Sequence, residues 1–191
     1  MTIFLILAPY GAFTMLMLVT SAMLSVFVAA SVCLAVIVLD AVRGRSVKLL
    51  GAGSAVLFAG IGSYLALIDP ALSTSKVKLA VDAGVFILSA GSLLVRYPFT
   101  LQYALESVPA ETAAMPGFLR ANYIITGAWT AAALLMMLST LAMLYVPGLP
   151  IWSSLLIAFA ARNSAVYFTK WYPQYRKLKS GVPAKAVPTA H

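Results

Sequence analysis

Long apolar blocks alternate along this chain with short clusters in which charge, proline and glycine collect. The first block, Thr2 to Asp40, is too long for one crossing of a hydrocarbon layer about 30 Å thick at 1.5 Å per residue. It is expected to fold back near Thr20 and Ser21, giving one helix over 3–19, kinked at Pro9 and Gly11, and a second over 22–42. A short re-entrant piece followed by one long helix is the alternative. Further spans are predicted over 49–67, ended by Asp69 and Pro70, and over 77–95, entered through Lys76 and Lys78. The last two fall over 123–145 and 151–171, divided by the proline-bracketed turn Val146 to Pro150, which continued helix cannot accommodate.

One stretch breaks the pattern. Residues 96–120, RYPFTLQYALESVPAETAAMPGFLR, form the only long polar and aromatic segment between apolar runs. Pro98 suits the first turn of a helix and Pro109 ends it. Between them Leu101, Ala104, Leu105 and Val108 share one side while Gln102 and Glu106 share the other, with Tyr103 at the border. This is the pattern of an amphipathic helix lying on the membrane face. Helix connections in bundles usually take about 2 to 8 residues, so a loop of this length is expected to do more than connect. Gln102, Tyr103 and Glu106, with Arg96 and Tyr97 at the entrance, are therefore the candidate contact surface, exposed and free for a partner, a headgroup or a ligand.

Composition fixes the class. With 62% hydrophobic residues, 9% charged and a mean hydropathy of +0.98, the chain lies far from soluble proteins, in which about a quarter of residues are charged. The expected fold is all-α: a polytopic membrane protein, a bundle of about six transmembrane helices with one cytoplasmic interfacial amphipathic helix. Residues 1–175 are read as a single transmembrane domain and 176–191 as a flexible basic tail, whose Gly, Pro and Ala cannot build a core. The hydrophobic start lacks the basic leader of a secretory signal, and it is read as a retained span.

The net charge of +8 points to membrane orientation rather than to nucleic acid, because the basic residues sit at the ends of apolar runs. With both ends of a six-span bundle inside, Arg43, Arg45, Lys48, Arg96, Arg120, Lys170, Arg176, Lys177, Lys179 and Lys185 are cytoplasmic, against Lys76 and Lys78 outside. Ten against two satisfies the positive-inside rule.

Candidate chemistry is sparse. The only histidine is His191 and the only cysteine is Cys33, inside an apolar run, so histidine ligation, imidazole catalysis and an internal disulfide are not expected. Glu106 and Glu111 are separated by Pro109 and accompanied by no nucleophile. No catalytic residue, metal or cofactor is assigned, and the protein is expected not to be an enzyme.

Two ionisable residues do fall inside spans, where a charge costs at least about 2.5 to 3.5 kcal/mol. Asp82 lies about 7 Å and Arg162 about 16 Å below the outer boundary at 1.5 Å per residue, and the N-terminal lean of helical side chains brings the guanidinium toward the carboxylate. They are expected to form a buried charge pair pinning the fourth span to the sixth; a proton or solute path through Asp82 is the other reading. Gly53 with Gly60, and Gly84 with Gly91, recur at seven-residue spacing and mark faces of close helix contact.

The order of elements resembles the intracellular septation protein A family of bacterial inner-membrane proteins over roughly Ile3 to Tyr145. The resemblance is carried by a first span broken at Pro9, a second ending in the basic loop at Arg43 to Lys48 and a third ending in the acidic turn at Asp69. Lys76 and Lys78 then lead into a span rich in small residues, and Arg120 to Asn122 opens the fifth. It implies a role in cell-envelope synthesis or division, exercised through contacts rather than a reaction. The expected partners are membrane lipids, other membrane proteins and further copies of the chain. The alternatives are a small-solute or lipid transporter using Asp82 and Arg162, and an accessory subunit of a larger membrane complex.

Overall fold

A computed structural model describes residues 2–179, and all regular structure among them is helical. Two helices form from the first apolar block, α1 (Thr2–Met17) and α2 (Ala22–Val42), and the reversal falls at the expected place. The Ser21 side chain accepts the Leu24 N–H there, which caps α2 and stops α1 from continuing into it. Next come α3 (Leu49–Leu67) and α4 (Thr74–Leu94), then two short helices, α5 (Phe99–Leu105) and α6 (Ala110–Ala113), and the long pair α7 (Phe118–Tyr145) and α8 (Ile151–Lys179). Four of these, α2, α3, α4 and α7, are long and apolar enough to cross a membrane. α8 runs on to Lys179, so Arg176 and Lys179 belong to a helix rather than to the flexible tail expected from 176; the remainder of that tail lies outside the described residues.

The long helices pack in a series: α1 on α2, α2 on α3, α3 on α4, α4 on α7 and α7 on α8. The packed half of the molecule is centred on Phe58, which is fully buried against Tyr10 and Phe13 with ring centroids 5.7 Å away in each case. Val26, Cys33, Leu65, Val77 and Val81 complete this core. Polar side chains are gathered inside as well, among them Ser25, Ser54, Ser89, Ser92, Asn122, Thr126 and Thr140, while many large apolar side chains point outward. That inversion of the soluble pattern suits a hydrocarbon surround, in which hydroxyl and amide groups hold helices together.

The glycines act where α3 meets α4. A Cβ on Gly53 would lie 2.6 Å from the Leu88 side chain, and one on Gly84 would collide with the Leu57 side chain, so each helix receives a leucine from the other in a hollow left by a missing side chain. Gly60 and Gly91 have nothing within reach, and the close face extends over only half of the glycine pattern.

α4 ends in a reversal rather than a smooth exit. The Tyr97 N–H donates to the Ser92 carbonyl at 3.0 Å and the Arg96 N–H to the Leu93 carbonyl at 3.1 Å, which puts Arg96 at the left-handed position of a Schellman turn, with φ 58°. Pro98 and Phe99 are buried just beyond it, and the Phe99 N–H donates to the Ser92 hydroxyl at 3.3 Å. This turn sends α5 back across the end of the bundle, where it lies mainly on α7.

Because the Leu57 hollow has no spare room, Gly84→Ala should destabilise the protein by about 1 to 3 kcal/mol. Adding Leu57→Ala should restore part of the loss. Thermal unfolding in detergent of the two single variants and the double variant reads the coupling, and additive losses would remove Leu57 from the contact.

Candidate functional site

The segment that sequence analysis singled out, 96–120, folds against the bundle rather than standing free. Gln102 Oε1 accepts the Leu49 N–H at 2.7 Å, capping the first turn of α3, whose own N-cap residue, Lys48, offers no side-chain acceptor. Glu106 binds Lys48 Nζ at 3.0 Å through Oε2 and accepts the Ser46 hydroxyl at 3.1 Å through Oε1. The Tyr103 ring lies under the same ammonium, 5.4 Å from centroid to Nζ. Burial pushes the Tyr103 phenol upward, which keeps it neutral. The expectation that Gln102, Tyr103 and Glu106 present a free polar face is corrected: they are spent on the loop between α2 and α3. Arg96 and Tyr97 do remain exposed.

Lys48 is the centre of this cluster. Only 3% exposed, it donates to Asp40 at 3.0 Å and to the Ser46 carbonyl at 3.4 Å, and Glu106 lies 3.0 Å away as a second ion-pair partner. The buried ammonium is thus surrounded by two carboxylates and a carbonyl. Arg45 stands 3.9 Å from Asp40 and balances the second carboxylate. As the last cation of the basic loop at Arg43 to Lys48, Lys48 reads as an orientation signal at the membrane surface; the visible hint of its burial is Asp40, an unmatched carboxylate near the end of an apolar helix.

A second buried cluster sits at the opposite end of the bundle. Lys78 Nζ lies 2.7 Å from Asp82 Oδ2, and the Thr140 hydroxyl donates to the same oxygen at 2.6 Å while accepting from Lys78. Ser154 extends the network to α8, 3.1 Å from Thr140. Lys78 and Asp82 are 3% and 5% exposed. The expected pair of Asp82 with Arg162 is therefore replaced by Lys78–Asp82. A lysine four residues before an aspartate reaches it along one helix face with no need to bridge helices, and its long methylene stem packs in the interior. The i, i+4 spacing was legible, but Lys78 was read as an outer cap.

Between the two clusters lies a cavity of about 750 Å³, walled by α1, α4, α5, α7 and α8. Its lining is mostly apolar, with Phe13, Ile125, Trp129 and Met136 among the contributors. Lys78 and Asp82 border it, as do Arg162 and, from α5, Tyr103. Arg162 thus shares a wall with Asp82 without an ion pair to it among the described residues. On α8 the lining extends from Trp152 to Pro173, about 32 Å at 1.5 Å per residue, which matches the hydrocarbon thickness. α1 and α8 end the packed series and flank the cavity, and their lining residues Met15 and Phe159 are 70% and 69% exposed. The cavity is accordingly a cleft open at the side, between the first helix and the last.

The Lys78–Asp82 assignment is checked by stability in detergent. Asp82→Asn should cost about 3 to 5 kcal/mol by stranding a buried ammonium, and Lys78→Met combined with Asp82→Leu should cost less than the two single changes added. Arg162→Gln should be additive with Asp82→Asn, whereas strong coupling between them would restore the pair expected from sequence.

The cluster around Lys48 makes a separate claim. Gln102→Ala should lower stability by about 0.5 to 2 kcal/mol through the lost cap on α3, measured by thermal unfolding, where a free surface residue would change it by no more than about 0.5 kcal/mol.

No protein-family model, curated protein or solved structure matches the chain, so the geometry of the cleft carries the functional argument.

Proposed function

We propose that the protein is a six-span protein of the bacterial inner membrane that holds an amphiphile from the bilayer in its lateral cleft, as a non-enzymatic lipid-handling factor of the cell envelope. The observation that carries this reading is the cleft itself: about 750 Å³, within the range of small-molecule sites, apolar along its length, charged on one wall and open between α1 and α8. A soluble ligand would meet exposed Met15 and Phe159 at the mouth, whereas a lipid chain meets them without losing any contact with water. Scaffolding through the polar face of α5 loses its main support, since that face is engaged internally.

The membrane placement rests on several features. The four apolar helices α2, α3, α4 and α7 are joined by α1 and α8 as spans, α8 carrying Trp152 and Trp171 about 28 Å apart, the separation of the two aromatic belts. The ten-against-two distribution of basic residues puts both ends of the bundle on the cytoplasmic side. α5, with Tyr103 and Ala104, and Val108 just beyond it then cover the cytoplasmic end of the cleft, while Lys78 and Asp82 mark its outer end.

Filling the cleft tests the function. Ala158 is buried and lines it, so Ala158→Trp should occupy the space with little change in melting temperature. Protein purified in mild detergent should carry bound lipid detectable by native mass spectrometry, and the variant should carry less. Equal lipid content in both would place the bound lipid elsewhere. Placement in the membrane has its own check: reporter fusions after Lys179 and within the 68–73 loop should report opposite sides, and agreement between them rules out six spans.

A further inference from the structure

Resting on the reading of the cleft as an amphiphile site, the charges on its wall say which amphiphile. Four ionisable groups of the lysine, arginine and carboxylate classes line it: Lys78, Asp82, Arg162 and Lys170, three cations against one anion. The anion is already spoken for, because Asp82 Oδ2 takes Lys78 at 2.7 Å and the Thr140 hydroxyl at 2.6 Å. Arg162 and Lys170 make no ion pair or side-chain hydrogen bond among the described residues. The wall therefore carries a net excess of two positive charges, with Arg162 and Lys170 both on α8, in a cleft whose other lining is mostly apolar.

Their positions are informative. Arg162 is eleven residues into α8, about 16 Å from its start, which is mid-depth in a hydrocarbon layer of about 30 Å; Lys170 lies about 12 Å further along, toward the cytoplasmic rim. An arginine at mid-depth with no ion-pair or hydrogen-bond partner among the described residues costs several kcal/mol on most scales, and such residues mark the paths of ions and substrates. Structural use would have placed a carboxylate beside it, and Asp82, the one cleft-lining carboxylate, is committed to a lysine on its own helix. The neighbouring polar groups are also committed: the Trp129 indole donates to Thr169 at 2.9 Å and the Asn122 amide to the Phe118 carbonyl at 3.0 Å. What is left open is the guanidinium fork, which matches the oxygens of a phosphate.

We propose that the cleft selects an anionic phospholipid, its phosphate held by Arg162 with Lys170 as a second station about 12 Å along the same wall, and its chains lying among the apolar residues of α1, α7 and α8. The source of the ligand is the bilayer, because the cleft opens sideways into it. The two stations give the headgroup a stepwise route between the cytoplasmic rim and the middle of the membrane. Net positive charge on the wall admits an anion and disfavours a zwitterion, whose ammonium would face Arg162 without a carboxylate to receive it.

The full chain, purified in detergent with Trp152→Phe and Trp171→Phe so that only Trp129 reports from the cleft wall, is titrated with phosphatidylglycerol or phosphatidylcholine carrying brominated chains, which quench indole fluorescence on contact. Phosphatidylglycerol should quench with an apparent Kd at least about tenfold lower than phosphatidylcholine, the scale of a charge-assisted contact. That ratio should fall toward one in Arg162→Gln and survive in part in Arg162→Lys, and Lys170→Gln should reduce it less. Equal quenching by the two lipids of the otherwise unaltered protein overturns the anion selection while leaving the amphiphile cleft standing, and this comparison does not depend on any arginine variant folding. Brominated oleate binding tighter than phosphatidylglycerol overturns the phosphate in favour of a carboxylate. Failure of every lipid to quench Trp129 overturns the cleft reading together with the proposal.

Discussion

A single ammonium ties three helices together at one end of this bundle. Lys48 is buried between Asp40 at the end of α2 and Glu106 beyond the end of α5, and it is itself the N-cap residue of α3. Taking a charge out of water is tolerable only when it is paired and hydrogen-bonded, and here two carboxylates and a carbonyl surround it. Because Glu106 and Gln102 are held to the start of α3 and the loop before it, α5 is fixed across the end of the bundle, where Tyr103 and Ala104, with Val108 just beyond the helix, line the cleft. The position of the cleft floor thus follows from the position of one lysine.

The upper cluster works by the same physics with a different outcome. Lys78 and Asp82 satisfy one another along α4, with hydroxyls from α7 and α8 completing the shell. No ion pair is left for Arg162 among the described residues, and the asymmetry between the two ends is what gives the cleft wall its positive character. Hydroxyl bridges supply the rest of the cohesion around the cavity. Ser89 meets Thr130 at 2.9 Å and Thr100 meets Thr126 at 2.7 Å, each fixing a neighbour to α7, one of the helices that wall the cavity.

Much of the helical layout was readable because its boundaries are chemical. Leu49 to Leu67 is framed by Lys48 on one side and Asp69 with Pro70 on the other, and α3 occupies those residues. α8 overran its expected end at 171 because hydropathy falls at the membrane surface while helical hydrogen bonding continues into water. Asp82 and Arg162 stood out by being charged within apolar runs, and both border the cleft, though not as a pair. Lys48 and Lys78 were missed for the opposite reason, since a lysine at the edge of an apolar run looks like an orientation signal whether or not it turns inward. The cleft was not legible at all: it is a gap between helices from opposite ends of the chain, and a gap leaves no residue pattern.

The two helices at the mouth of that gap differ greatly in length. α1 has 16 residues and α8 has 29, about 24 Å and 43 Å at the usual rise, against a hydrocarbon layer of about 30 Å. With α1 and α8 spanning as proposed, a bilayer meeting both at once would be pulled thinner on one side and offered more helix than it can cover on the other, at fractions of a kcal/mol per Å of misfit. Lipids at the seam between α1 and α8 would sit where these opposing distortions meet, with their chains less evenly packed than in the surrounding leaflet. Elastic strain in the membrane would then be concentrated at the entrance, and a lipid leaving the bilayer there would leave its least comfortable place.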